Sequence, residues 1–296
     1  MCIIKYDDDV DVEIKNEKFI LDANRILYKW IAEASMSPDS ILEIRVKNKT
    51  CMHRNYAITK PVFDEIEVKF VICIADDVFK KITDFIDPSE VAIIKSIFQH
   101  EIFHCKEIKI LAEGNYLPNY RKMFEKIEIN SAFDFMLVSG IKTWSEFYAC
   151  YYNMQLNRWY EIPDLEYYFL TINNRIRYYN RKAKKSEDNK VCISKNFCDT
   201  LYKFWYHTVS LVAFSQQNYS KTYIEEIYSR EEYPFLSGYF KYIYNKLPTY
   251  IEKYPNWLSE SGYIQFTKDL LYILKMNGFI FKNEDIHEGL ILFKIS

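Results

Sequence analysis

His100-Glu101-Ile102-Phe103-His104 sits late in an apolar-periodic run from Val91 to Leu111, behind the helix-start signature Asp87-Pro88-Ser89-Glu90. That signature supplies an N-cap carboxylate, a proline at the first helical position and a glutamate placed for a capping box. A helix turns 100° per residue, so His100 and His104 share one face a single turn apart, on a stripe continued by Ile93, Ile97, Ile108 and Leu111. Two imidazoles on an otherwise apolar stripe are costly to bury without partners, and one bound cation removes that cost. The spacing suits Zn²⁺, with Glu101 beside the pair to take a proton from water.

The rest of the composition limits the alternatives. Near-balanced charge, 39 basic against 41 acidic residues, excludes a globally basic polyanion binder. Six glycines and eight prolines in 296 residues favour long helices over many tight hairpins. The seven cysteines are odd in number and contain no C-x-x-C pair, which points to a reduced cytoplasmic interior rather than a disulfide framework. No signal-peptide pattern is present, and apolar runs such as Phe70 to Ala75 are too short to span a bilayer. A soluble cytoplasmic protein without membrane segments is expected.

Along the chain, residues 16–35 read as an amphipathic helix, and Ile41 to Val46 as a half-buried strand. Residues 48–61 read as a loop or short hairpin, with His53 exposed. Glu65 to Ala75 carries the strongest strand signal, with Ile66, Val68, Phe70, Ile72 and Ile74 on one face. A short helix from Asp76 to Phe85 precedes the motif helix, and Tyr120 to Ile129 reads as another helix. Gly140-Ile141-Lys142-Thr143 then leads into a helix from Trp144 to about Trp159.

Catalytic zinc ordinarily takes three protein ligands plus water, so the histidines need a partner. Glu146 opens that last helix, with the small Ala149 and Cys150 on its face. Thr143-x-x-Glu146 is also a capping box, so Glu146 is either the third ligand or a cap. Glu107 and Asp134 are the weaker candidates, the first suited to a salt bridge and the second to capping a helix or orienting a histidine. His207, in an aromatic helix, reads as core, and His287 is remote in sequence.

His100-Glu101-x-x-His104, followed by the helical Glu146-Phe147-Tyr148-Ala149, resembles the gluzincin arm of the zinc metallopeptidases. The pattern is nearest to the small intracellular peptidases of mobile elements and stress responses. The likeness covers roughly residues 65–160. It implies a zincin-like domain with zinc on His100, His104 and Glu146, and Glu101 as general base. It also implies a strand above the motif helix whose free edge pairs with a peptide substrate, a role that would fall to 65–75 if that strand lies at the edge. Glu107 and Ile110 stand where metzincins carry Gly and His, so that extension is absent. Cys150 stands where many gluzincins carry an acidic residue.

Beyond Ile162-Pro163 the chain turns helical and tyrosine-rich: Leu165 to Lys182, Asn196 to Gln216, Ser220 to Ser229, Phe235 to Asn245 and Gln265 to Met276. A last strand, Leu290 to Ile295, is expected to pair with the N-terminal sheet. The charged stretch 181–190 reads as an exposed boundary segment. The expected fold class is α+β, with a zincin-like metal-binding domain over 1–162 and a mostly helical domain or cap over 163–296. The expected activity is peptide-bond hydrolysis in a protein substrate. The alternatives are a non-catalytic zincin-fold protein with a structural metal, and a nucleic-acid-associated protein using the basic segment 175–185.

Overall fold

In the computed structural model the described residues are 3–10, 15–52, 56–65, 67–83, 87–118, 120–121, 132–157, 166–185, 190–192, 195–216, 234–277, 279–280 and 292–294. The fold is α+β, and no helix among these residues is long and apolar enough to cross a membrane. The chain divides into two units, Met1–Asn115 with Tyr148–Glu161, and Tyr116–Phe147 with Ile162–Ser296.

The first unit is built on a mixed four-stranded sheet in the order β1-β2-β4-β3, from β1 (Ile3–Tyr6), β2 (Ile41–Lys47), β3 (Ala57–Phe63) and β4 (Val68–Ala75). β1, β2 and β4 run parallel, and β3 returns antiparallel to β4 with Ala57 opposite Ile74 and Phe63 opposite Val68. β4 is buried along almost its whole length, because a strand covered on both faces cannot alternate polar and apolar side chains. The strong strand signal at 65–75 therefore marks the inside of the sheet. The edges are β1 and β3, the latter in the stretch whose sequence reads as a loop or short hairpin.

Helix α1 (Glu17–Glu33) starts where the Asn16 side chain accepts the Lys18 N–H at 2.9 Å, and it buries Ala23, Leu27, Trp30 and Ile31. After the short α2 (Asp76–Lys80), α3 (Pro88–Glu113) begins as the sequence predicts, with Pro88 in the first turn and Asp87 Oδ1 accepting the Ser89 N–H at 2.8 Å. Glu90 pairs with Lys81 at 2.9 Å. α3 is not buried on one stripe. Ile94, Phe98, Ile102, Phe103, Cys105 and Ile108 are covered on several sides, whereas Ile93 is 40% exposed.

Helix α4 (Ala132–Leu156) runs unbroken across the division between the units. The expected start at Trp144 is thus corrected. Gly140 does not end anything: a Cβ there would lie 2.6 Å from Thr267 Oγ1 and 2.8 Å from the Tyr263 carbonyl oxygen. The glycine permits close approach of α4 to α8 (Glu260–Leu270), and Thr267 Oγ1 donates to the Met136 carbonyl across that contact at 2.7 Å. In the same unit Trp144 is packed by Tyr254, Trp257 and Phe266. Asp269 accepts hydrogen bonds from Tyr250 at 2.7 Å and Tyr242 at 3.3 Å, joining α8 to α7 (Pro234–Glu252).

The other helices of this unit are α5 (Glu166–Ala183), α6 (Lys195–Gln216) and α9 (Tyr272–Met276). The single helix expected over 265–276 is broken at Leu271. The last strand, β7 (Leu292–Lys294), does not join the N-terminal sheet. It pairs antiparallel with β5 (Lys190–Cys192) and β6 (Phe279–Ile280) in a separate three-stranded sheet. The helix expected at 220–229, most of that at 120–129, residues 186–189 and both His53 and His287 lie outside the described residues.

Two glycines inside helices give opposite forecasts. Gly238 on α7 has nothing within 4 Å of an added Cβ, so Gly238→Ala should stabilise by about 1 kcal/mol through helix propensity. Gly140→Ala should instead destabilise by about 1–3 kcal/mol from overpacking against backbone. Urea denaturation of both variants checks the pair.

A pH prediction follows from β2. Burial pushes the Glu43 carboxyl up, but its bonds with Lys5, at 2.6 Å, and with Arg45 outweigh this and hold it below the ordinary glutamate value. A lowered folded-state value stabilises above the unfolded-state value, and that stabilisation is lost as pH falls through the folded one. Wild type should lose stability relative to Glu43→Gln as pH drops below about 4.3, the unfolded glutamate value, measured by denaturant midpoint.

Candidate metal centre

α3 places His100 and His104 on one face, and the two rings meet edge to face at 84° with centroids 4.6 Å apart. Their Nε2 atoms are 3.0 Å apart. Two Zn–N bonds of about 2.0–2.1 Å at a tetrahedral angle separate the nitrogens by about 3.3 Å, so this pair is nearly set for one cation. Without a cation the same approach is an Nε2–H···Nε2 hydrogen bond, which requires one ring to donate and the other to accept.

Glu101, next in sequence, offers a carboxylate oxygen that lies with the two histidine nitrogens inside a 4.8 Å cluster. All three residues are half-buried, so the cluster is open to solvent on one side. The backbone beneath it is held from the sheet: Thr59 Oγ1 on β3 donates to the Glu101 carbonyl at 3.0 Å and lies 3.7 Å from Cys105 Sγ. Burial pushes the Cys105 thiol far above its ordinary value, so it remains a neutral packing group.

The C-terminal part of α4 packs on α3 through buried amides. Asn153 Nδ2 donates to Ser96 Oγ at 2.9 Å, and Asn157 Nδ2 donates to Gln99 Oε1 at 2.7 Å. This seats the fully buried Cys150 with Sγ 4.0 Å from His100 Nδ1, the ring nitrogen turned away from His104. Glu146 stands one turn before Cys150 on the same unbroken helix.

Glu146 is buried in mid-helix, many residues past the start of α4, which removes the capping role offered by Thr143-x-x-Glu146. Ser210 Oγ on α6 donates to Glu146 Oε1 at 3.3 Å. Its charge also reaches two neighbours on α6. Tyr202 is pushed up to about 12, by burial first and Glu146 second. His207 is lowered by burial, with Glu146 opposing and Lys203 assisting. His207 is half-buried beside Tyr206 rather than deep in the core.

The weaker candidates stand elsewhere. Glu107 is completely buried on α3 and lies outside the His100–Glu101–His104 group. Asp134 lies in the first turn of α4, about three turns from Glu146. The sequence reading missed Ser210, whose place one turn beyond Tyr206 gives no signal of its own. Comparison with protein-family models, curated proteins and solved structures finds no match to this chain.

Zn²⁺ titration tests the centre. His100→Ala and His104→Ala should each weaken binding by tenfold or more, while Cys150→Asp, placing a stronger acceptor against Nδ1, should tighten it. Equal affinity in wild type and both alanine variants would remove His100 and His104 from the site.

Proposed function

We propose that the chain is a zinc-dependent metallopeptidase of the H-E-x-x-H type acting on a peptide bond in a protein substrate. The observation carrying this reading is the convergence of His100 and His104 Nε2 atoms at 3.0 Å with Glu101 alongside, on a helix lying against an antiparallel edge strand. His100, His104 and Glu146 would hold the ion. A bound Zn²⁺ supplies a Lewis acid for the scissile carbonyl and lowers the pKa of water. Glu101 accepts a proton from the attacking water and delivers it to the leaving amine. Ser210 keeps one oxygen of the Glu146 carboxylate fixed by its hydrogen bond.

The sheet edge supports a peptide substrate. Ala75 N–H donates to the Tyr56 carbonyl and Asp64 N–H to the Glu67 carbonyl, so even-numbered residues of this stretch bond inward to β4. Alternation then turns the backbone groups of Ala57, Thr59, Pro61 and Phe63 outward. Pro61 is tolerated there because an outward position needs no N–H. Thr59, which also grips the Glu101 carbonyl, offers both N–H and C=O to an added strand. The free cysteines among the described residues, Cys51, Cys73, Cys105, Cys150 and Cys198, favour a reducing, cytoplasmic setting.

One observation favours a second reading. Cys150 Sγ lies 4.0 Å from His100 Nδ1, so the two could instead hold a structural metal on the side of the ring away from His104, on a non-catalytic binding protein. Three variants separate the readings. Glu101→Gln should keep zinc and lower hydrolysis of an unfolded protein substrate by 10²-fold or more, since Gln cannot take the proton. Glu146→Ala should lose metal affinity and, with it, stability. Cys150→Ala should retain zinc if the site is catalytic and lose it if the thiolate is a ligand. Hydrolysis by Glu101→Gln at the wild-type rate would rule out Glu101 as the base.

A further inference from the structure

Helix α5 has two sharply different faces. Ile172, Asn173, Ile176, Tyr179 and Ala183 are buried in the second unit. The opposite half-circle is exposed and carries Arg175, Arg177, Arg181 and Lys182, continued past the helix end by Lys184 and Lys185. No acidic residue interrupts Arg175–Lys185, although the chain as a whole is net −2. Tyr167, Leu170 and Tyr178 lie along the middle of the exposed face, at 67%, 49% and 46% exposure.

Basic residues in a last turn offset the helix dipole, which accounts for Lys182 and its successors. It does not account for Arg175 and Arg177, up to two turns earlier. Like charges at i and i+4, such as Arg177 and Arg181, repel, and no carboxylate in this stretch relieves them. An exposed aromatic among uncompensated cations is what a strand of phosphates and unpaired bases selects: the cations meet phosphate, and the ring offers a face to a base. An anionic membrane demands something else. Interfacial helices insert an apolar face, and the apolar face of α5 is already buried in the fold.

We infer that the exposed face of α5, from Arg175 to Lys185 with Tyr178 at its centre, binds single-stranded nucleic acid. The contact is independent of the metal centre, so it stands or falls apart from the peptidase reading. Lys182 Nζ is 5.9 Å from the Tyr178 ring centroid, so cation and ring act on adjacent phosphate and base. Arg and Lys fix the backbone, and the tyrosine distinguishes an unpaired strand from a bare polyanion.

Fluorescence anisotropy of the full chain with a labelled 20-mer oligothymidylate tests this. Binding should weaken steeply with added salt. Arg177→Glu/Arg181→Glu/Lys185→Glu should lose affinity tenfold or more, and Tyr178→Ala about fivefold or more. Heparin and anionic phosphatidylserine vesicles should bind the wild type more weakly than the oligonucleotide. All altered side chains are exposed, and a melting curve checks that the variants fold; if the triple variant does not, Arg175→Gln/Arg177→Gln replaces it. Equal affinity in wild type and the charge-altered variant overturns the inference. So does an unaffected Tyr178→Ala, or heparin or vesicle binding as tight as that of the oligonucleotide.

Discussion

Gln99 stands where three helices of the first unit meet. Its side-chain N–H donates to the Trp30 carbonyl at the end of α1 at 2.8 Å, and its carbonyl accepts from Asn157 just beyond α4. Asn157 also donates to Asn153, which donates to Ser96. Each of these groups is buried, and breaking any of these bonds leaves an unsatisfied amide worth about 1–3 kcal/mol. An apolar contact would permit α3 to roll, whereas directed amide bonds do not. Because Gln99 is fixed, the adjacent His100 is turned to the half-buried strip, with one ring nitrogen toward His104 and the other toward Cys150. The geometry of the candidate site is therefore a consequence of a polar lock on the helix that carries it.

What the sequence revealed and what it hid divide along a physical line. The start of α3 was legible because capping is local: Asp87 and Pro88 act on the turn they begin. The spacing of His100 and His104 was legible for the same reason. The start of α4 was not. Gly140 resembles a stop signal until α8 supplies a reason for the missing Cβ, and that reason lies more than a hundred residues away. Once Gly140 is interior, Thr143-x-x-Glu146 is an ordinary piece of helix and Glu146 is no cap.

Strand order was hidden in the same way. A continuous apolar run marks a strand covered on both faces, so the strongest signal belongs to β4 in the middle of the sheet. The edge strand β3 contains Lys60 and Pro61, residues that lower a strand score because they suit an edge. An edge strand was thus less visible than an inner one. Pairing of β7 with β5 and β6 is similarly decided by distant chain, not by the residues of β7.

Cys150 bears on the chemistry of the candidate metal centre. A carboxylate against His100 Nδ1 would fix the tautomer strongly and raise the basicity of Nε2. A cysteine sulfur 4.0 Å away is a weaker acceptor than a carboxylate, so it orients the ring with less electronic push. The sulfur sits on the Nδ1 side of the ring, and the His104 ring sits on the Nε2 side. One imidazole presents its two nitrogens in different directions, so a sulfur against Nδ1 does not coordinate an ion held between the two Nε2 atoms. Cys150 therefore bears on the candidate site through the orientation of the His100 ring, and any further protein ligand for an ion between the histidines has to come from the Nε2 side.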